Sequence, residues 1–172
     1  KLDPYNREPH SVIGSTSIGA SIIGGVCNNS GGSLVQRGPS YTELALYAKI
    51  NKNRSLELVN DLDISLGNNP EEILENLENK KYEKKDIIYS KKIASDNKYS
   101  QIVREIDSKI PARFNSDNRL LYGASGSSGK IAVFAVRLDT YPKPKKSQVF
   151  YVGTNNSNVF WKIRRDILSK FK

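Results

Sequence analysis

The sequence predicts an α+β fold, a central mixed β-sheet or sandwich surrounded by helices, in a single domain. Three observations lead there. At 172 residues and 19.2 kDa the chain is long enough to bury a core without disulfides or metal. Strand-type and helix-type patterns both occur, but without the regular β-α-β alternation that builds a parallel sheet. The most apolar run, Ile131 to Val136, has the length of a buried strand and falls far short of the ~18 residues of a membrane span. No internal repeat is present.

The first ten residues, with Pro4 and Pro9, read as a connector from a larger protein, and residues 11–172 as the domain itself. From Ser11 to Ser33 glycine and serine alternate with apolar residues, predicting turns and one short strand around Ile22-Ile23. Strands at 33–37 and 41–50 follow, joined across Gly38-Pro39. Ser40 and Glu43 also form a capping-box pattern, so a helix over 40–52 is a rival reading. Alternating Leu56, Leu58, Leu62 and Ile64 predict a strand within 55–65. Asn69-Pro70-Glu71-Glu72 combines a side-chain cap, a first-turn proline and carboxylates at the positive end of the dipole. It predicts a helix that buries Ile73, Leu74 and Leu77 and ends near Lys80-Lys81. A strand at Ile87–Tyr89, a helix over 99–110 stopped by Pro111, and strands at 119–122, 130–138 and 148–152 complete the pattern. The middle one of these three is apolar enough to be buried on both faces. A basic amphipathic helix from Asn158, burying Val159, Phe160, Ile163, Ile167 and Phe171, closes the chain.

Composition narrows the chemistry. Twenty-seven basic residues against 18 acidic ones give a net charge of +9, which suits an anionic partner such as nucleic acid, an acidic protein or a membrane surface, or simply a solvated lysine-rich face. A lone cysteine, Cys27, excludes an internal disulfide, and with a single histidine, His10, it argues against the usual zinc clusters. Neither a metal nor another cofactor is expected. The absence of methionine and the opening Lys1-Leu2-Asp3-Pro4 read as a piece of a longer protein.

Several motifs invite a functional reading. Ala124-Ser125-Gly126-Ser127-Ser128-Gly129-Lys130 resembles a phosphate-binding loop only superficially, because Ile131 stands where Ser or Thr is needed and a strand follows where a helix is needed. A flexible turn between two strands explains it. His10 and Cys27 could in principle serve as base and nucleophile, but nothing in the sequence orients either. Lys143, Lys145, Lys146 and the final basic helix could grip phosphates, yet helical spacing turns Phe160 inward, which leaves no stacking platform.

Ser30-Gly31-Gly32-Ser33-Leu34-Val35 and Tyr41 to Ile50 resemble the catalytic hairpin of the cytotoxic necrotizing factor family, in which a Ser-Gly-Cys motif precedes a histidine by fifteen positions. Segments resembling later parts of that family follow in order: Glu72 to Leu77, Asp86 to Ser90, Tyr99 to Ile102, the Gly123 turn, Val136-Arg137-Leu138 and the C-terminal Leu168 to Lys172. The resemblance implies a β-sandwich wrapped by helices. It also implies a glutamine deamidase acting on host Rho-family GTPases, in which a thiolate attacks the carboxamide and a histidine relays the proton.

On this likeness Ser33 occupies the nucleophile position, Ala48 the general-base position, and Gly31 and Gly32 the loop that would hold the oxyanion. An alternative alignment, shifted by the extra glycine, places Gly32 and Tyr47 there instead. Both catalytic groups are missing in either case. The expectation is therefore an inactive form, engineered or natural, of a secreted toxin effector that is carried by a larger toxin or delivery protein into the cytosol of a target cell. A basic nuclease toxin domain and a non-catalytic binding module are the alternatives.

Overall fold

The computed structural model describes residues 2–9, 21–31, 35–114 and 117–170. In chain order they form strand β1 (Arg7–Glu8), helix α1 (Ile22–Cys27), strands β2 (Ala45–Ile50) and β3 (Leu56–Asn60), helices α2 (Pro70–Glu78) and α3 (Tyr99–Ile102), strands β4 (Ala132–Val136) and β5 (Tyr141–Pro142), and helix α4 (Ser157–Ile163).

Strand β2 lies at the centre of a three-stranded antiparallel sheet, order β3-β2-β4, with Tyr47 opposite Val59 on one side and Val133 on the other. Its side chains alternate across the two faces. Ala45 and Tyr47 pack with Val26 of α1 and with Ala124, while Leu46 packs with Leu62, Ile64 and Leu66 and, beyond them, Ile73, Leu74 and Leu77 of α2. The sheet is thus covered by a short helix on one face and a longer one on the other. A small second sheet pairs β1 with β5, Arg7 opposite Pro142, and Arg37 anchors it through Glu8 and the ring of Tyr141 at 4.3 Å.

Several expected elements are present. Strands β2 and β3 lie inside the predicted 41–50 and 55–65, which decides against the helical reading of 40–52. Helix α2 starts as its sequence demands, with Asn69 Oδ1 accepting the Glu72 N–H at 2.9 Å. It stops at Glu78, short of Lys80-Lys81. Lys80 adopts a left-handed φ of 54°, and its N–H and that of Lys81 close back onto the carbonyls of Leu77 and Asn76 at 3.2 and 2.8 Å.

Others differ for definable reasons. The strand expected around Ile22-Ile23 is helix α1, because Ser21 caps it by accepting the Gly24 N–H at 2.9 Å and the turn buries Gly25 and Val26. The described part of 33–37 is a turn leading to Gly38, at φ 64°, where any Cβ would meet the Tyr99 side chain at 2.7 Å. Residues 87–89 form one bridge, Ile64 to Ile87, and not a strand. The helix over 99–110 keeps its first turn only, after which Arg104, Glu105 and Ser108 donate three residues back in successive tight turns; so short a helix has little intrinsic stability. At 119–122 a 3-10 turn (Asn118–Leu120) replaces the strand, capped by Asp117, so the glycine turn that follows does not join two strands. β4 is an edge strand with Ala132 and Phe134 exposed, and is not buried on both faces. Residues 148–152 form no strand. Val159, Phe160 and Ile167, expected inside, are exposed.

Candidate functional site

Two glycine-bearing segments meet on the α1 side of the sheet. The Gly126 N–H donates to the Val26 carbonyl at 3.0 Å, and the Ser128 N–H to that of Cys27 at 2.8 Å. Asn29, fully buried, donates from Nδ2 to the Leu120 carbonyl at 3.3 Å. On the other side Ser40 N–H reaches the Ser30 carbonyl at 2.7 Å. Side chains crowd the glycines of both segments. A Cβ at Gly126, φ 67°, would lie 2.3 Å from Leu121, and one at Gly31 2.4 Å from the Arg113 guanidinium.

Thr42 locks the crossing. Its N–H donates to Ser125 Oγ at 3.0 Å, and the same hydroxyl donates to the Thr42 carbonyl at 2.9 Å. Thr42 Oγ1 in turn donates to the Arg137 carbonyl at 2.6 Å and accepts the Leu44 N–H at 2.9 Å. Both side chains are buried, so this pairing ties the 40–44 segment to the 122–126 turn and to the end of β4.

Beside the crossing opens a cleft of about 380 Å³, its walls formed by Tyr41, Ile93, Ile102 and Leu120 and its polar groups by Asp96 and Arg119. Burial pushes the Tyr41 hydroxyl well above its ordinary range, with the neighbouring Glu43 adding to it. Burial also raises the Asp96 carboxyl, and the charge of Asp117 works in the same direction against the backbone N–H of Lys98 and the charge of Arg119. Asp117 itself is held low, chiefly by its hydrogen bonds from Arg119, two of them at 2.8 and 3.0 Å. Asp96 is thus the cleft's carboxyl made harder to ionise, while Asp117, outside the lining, holds the Arg119 side chain at its wall.

A separate cluster closes the edge of β3. Lys92 bonds Asp61 at 2.9 Å and Asp63 at 3.3 Å, while Arg137 donates to the carbonyls of Leu62 and Asp63 at 2.6 and 3.2 Å. Burial works to raise Asp63, but the Ser90 hydroxyl and Lys92 outweigh it and hold the carboxylate low. Every group here is paired, which marks the cluster as structural.

Of the residues singled out from sequence, Gly32, Ser33 and His10 lie outside the described residues. Gly31 forms a bridge with Pro39, and Ala48 sits in β2 between Leu58 and Ala132. Among the described residues no hydrogen bond or strand pairing joins Gly31 to Ala48. Tyr47 packs into the core, and the carbonyl of Cys27 serves the crossing. The basic segments are partly consumed: Lys143 pairs with Asp3, and Arg165 with Asp107 at 2.5 Å while lying over Trp161 at 4.7 Å. Among the described residues no three His, Cys, Asp or Glu side chains converge as metal ligands. Sequence reasoning missed Tyr41, Asp96, Asp117 and Arg119. The available signal was the Asp117-x-Arg119 spacing at a turn, which a chain with this many charges offers often.

No protein-family model matches the chain. Curated relatives do. A quinone-dependent D-lactate dehydrogenase of Haemophilus influenzae is 57% identical over 172 residues, all of this chain and 30% of that protein. The protein of the same name from Escherichia coli is 54% identical over 171 residues, and that from Corynebacterium glutamicum 46% identical over 164. They cover 99% and 95% of this chain, which spans 30% and 28% of their lengths.

These relatives overturn the likeness to cytotoxic necrotizing factors. The short segments that carried that likeness are outweighed by identity extending over the whole chain to proteins named as oxidoreductases. With it fall the inactive toxin deamidase, the Rho-family GTPase partner, the larger toxin or delivery protein, and secretion into a target cell. The nuclease and binding-module alternatives gain nothing from these relatives.

Proposed function

We propose that these 172 residues form part of an enzyme that oxidises D-lactate with a quinone as electron acceptor. The observation that carries this is the 46–57% identity, along 95–100% of the chain, to three bacterial proteins of that one name. The α+β class, with one domain built on a central sheet, belongs to the same proposal. The reaction takes two electrons and two protons from D-lactate, leaving pyruvate, and delivers them to the quinone as a quinol. Hydride chemistry of this kind is carried by nucleotide cofactors, nicotinamide or flavin, and a flavin is the one suited to a quinone acceptor.

The residues of the crossing fit such a group. Ser127 Oγ is buried with no hydrogen-bond partner among the described residues, and a Cβ at Gly129 would meet nothing within 4 Å. A buried hydroxyl without a partner, in the same turn as a glycine with open space at its Cβ position, suits a phosphate drawn close to the backbone. In this reading Ser127 and the 126–130 turn bind the cofactor's phosphates, and the Thr42–Ser125 pairing fixes that turn against the sheet. When bound, the cofactor supplies the acceptor for the hydride; the chain supplies its orientation.

The test is a chimera in which this chain replaces the matched segment of the Escherichia coli relative. D-Lactate oxidation with a soluble quinone is expected to persist, and to fall about tenfold or more when Ser127 is changed to Asp, whose charge repels phosphate. A folded chimera without activity would overturn the proposal.

A further inference from the structure

Residues 148–152, Gln148-Val149-Phe150-Tyr151-Val152, combine two features that do not belong together in a finished surface. The four apolar side chains are 59–97% exposed, with Tyr151 at 97%. The backbone over the same stretch makes no hydrogen bond to another described residue. From Val149 to Val152 the composition is that of a strand, β-branched or aromatic at every position, and it is apolar toward both faces. Such a strand is stable only inside a sheet covered on both sides. Helix α4 follows within a few residues and likewise leaves Val159, Phe160 and Trp161 exposed, so the strand and the helix that would cover it are both unpartnered.

We propose that residues 148–152 are a β-strand docking site whose occupant is an extended, apolar segment of the same dehydrogenase polypeptide outside these 172 residues, with α4 packing over the joined strands. This rests on the reading above, since the relatives carry about 70% of their length outside the matched region, enough to supply it. The choice of occupant follows from the backbone. A lipid surface would take the aromatic side chains and the nearby lysines, but hydrocarbon cannot satisfy the N–H and C=O groups of an extended segment. A neighbouring strand satisfies both the backbone and the side chains.

The experiment compares amide hydrogen exchange over 148–152 in the isolated chain and in the Escherichia coli chimera, with Phe150→Pro made in each. The proposal expects free exchange in the isolated chain and protection of about 100-fold or more in the chimera. It also expects Phe150→Pro to be silent in the isolated chain and to lower the melting temperature of the chimera, because proline removes a ladder donor. Equal exchange in both proteins would overturn it. So would protection that grows with the concentration of the isolated chain, which assigns the strand to a second copy, or protection that appears only on vesicles of anionic phospholipid, which assigns it to a membrane. An active chimera with free exchange defeats this inference alone. A folded, inactive chimera with protected amides defeats the lactate reading and leaves the strand in place.

Discussion

Replacing Ser125 by Ala tests whether the crossing is held by the Thr42–Ser125 pairing. The hydroxyl accepts the Thr42 N–H at 3.0 Å and donates to the Thr42 carbonyl at 2.9 Å, across 83 positions of sequence, and Thr42 is fully buried. Alanine fills nearly the same space, so the cavity contribution is small. What changes is that two backbone groups of Thr42 lose their partner without gaining water. Each orphaned group costs about 1–3 kcal/mol, and with some local relaxation the pair costs about 2–4 kcal/mol. In a chain of this size each kcal/mol moves the melting temperature by about 2–4 °C, so a fall of roughly 4–16 °C is expected.

Thermal unfolding followed by circular dichroism measures it, with Ser147→Ala, at an exposed position, as the control expected within about 0.5 kcal/mol of the parent. The Thr42 amide should lose exchange protection in the same variant. A change under about 0.5 kcal/mol, with that amide still protected, would refute the reasoning and leave the geometry of the crossing to be explained by packing alone.

Three further outcomes follow from the same structure. Leu46, with no exposed surface and the α2 face of the sheet gathered round it, should cost about 2–5 kcal/mol on change to Ala, read from urea unfolding. Asp117 is held below its ordinary 3.8, so its contribution is complete above that value and is lost as pH falls through the lower folded value; Asp117→Asn should lower stability at pH 7 and flatten acid unfolding below about pH 4. Asp96 is raised above 3.8, so the folded chain binds more protons than the unfolded one between the two values, and stability falls as pH rises through that window. Asp96→Asn should therefore stabilise the chain at neutral pH and remove that part of the pH dependence, as measured by melting temperatures between pH 4 and 7.

The elements legible in the sequence were those whose determinants are local. Helix α2 announces itself through Asn69, Pro70 and two carboxylates, and the structure uses each of them. Strand β3 lies within the alternating Leu56 to Ile64 stretch, of which Leu58, Leu62 and Ile64 reach the core, and β2 lies within the 41–50 strand that follows the Gly38-Pro39 turn. Where the determinant was distant, the pattern misled. Ile22-Ile23 has the β-branched character of a strand, but a single serine cap and the buried Gly25-Val26 contact with the sheet make it helical. The cleft was illegible for the same reason. Asp96 and Arg119 lie 23 positions apart in ordinary polar sequence, and only the folded chain gives them a common wall with Tyr41.

The misassignment of family has a physical origin that also limits what such motifs can say. Glycines in such motifs are selected by backbone requirements, close approach and turn geometry, that recur in unrelated sites. Gly31 illustrates this, since a side chain there would collide with Arg113 and Pro39 whatever the reaction performed nearby. Glycine-serine spacing therefore reports how tightly a chain must pass and not which chemistry it serves. The same logic strengthens the reading of the 123–129 turn. Gly126 is required by contact with Leu121 and Asn29, but Gly129 has no neighbour within 4 Å of its Cβ position and lies two positions from Ser127, whose hydroxyl has no partner among the described residues. The turn itself favours glycine at 129 through its φ of 80°, and replacing Gly129 by Ala separates that backbone requirement from a role for the open space at its Cβ position. At φ 80° the change strains the backbone by about 1 kcal/mol and so lowers the melting temperature slightly in the isolated chain and in the chimera alike. If the open space is a cofactor's, the chimera alone suffers a further loss, in D-lactate oxidation and in retained cofactor; equal and purely structural effects in both would return Gly129 to the ordinary turn that the sequence suggested.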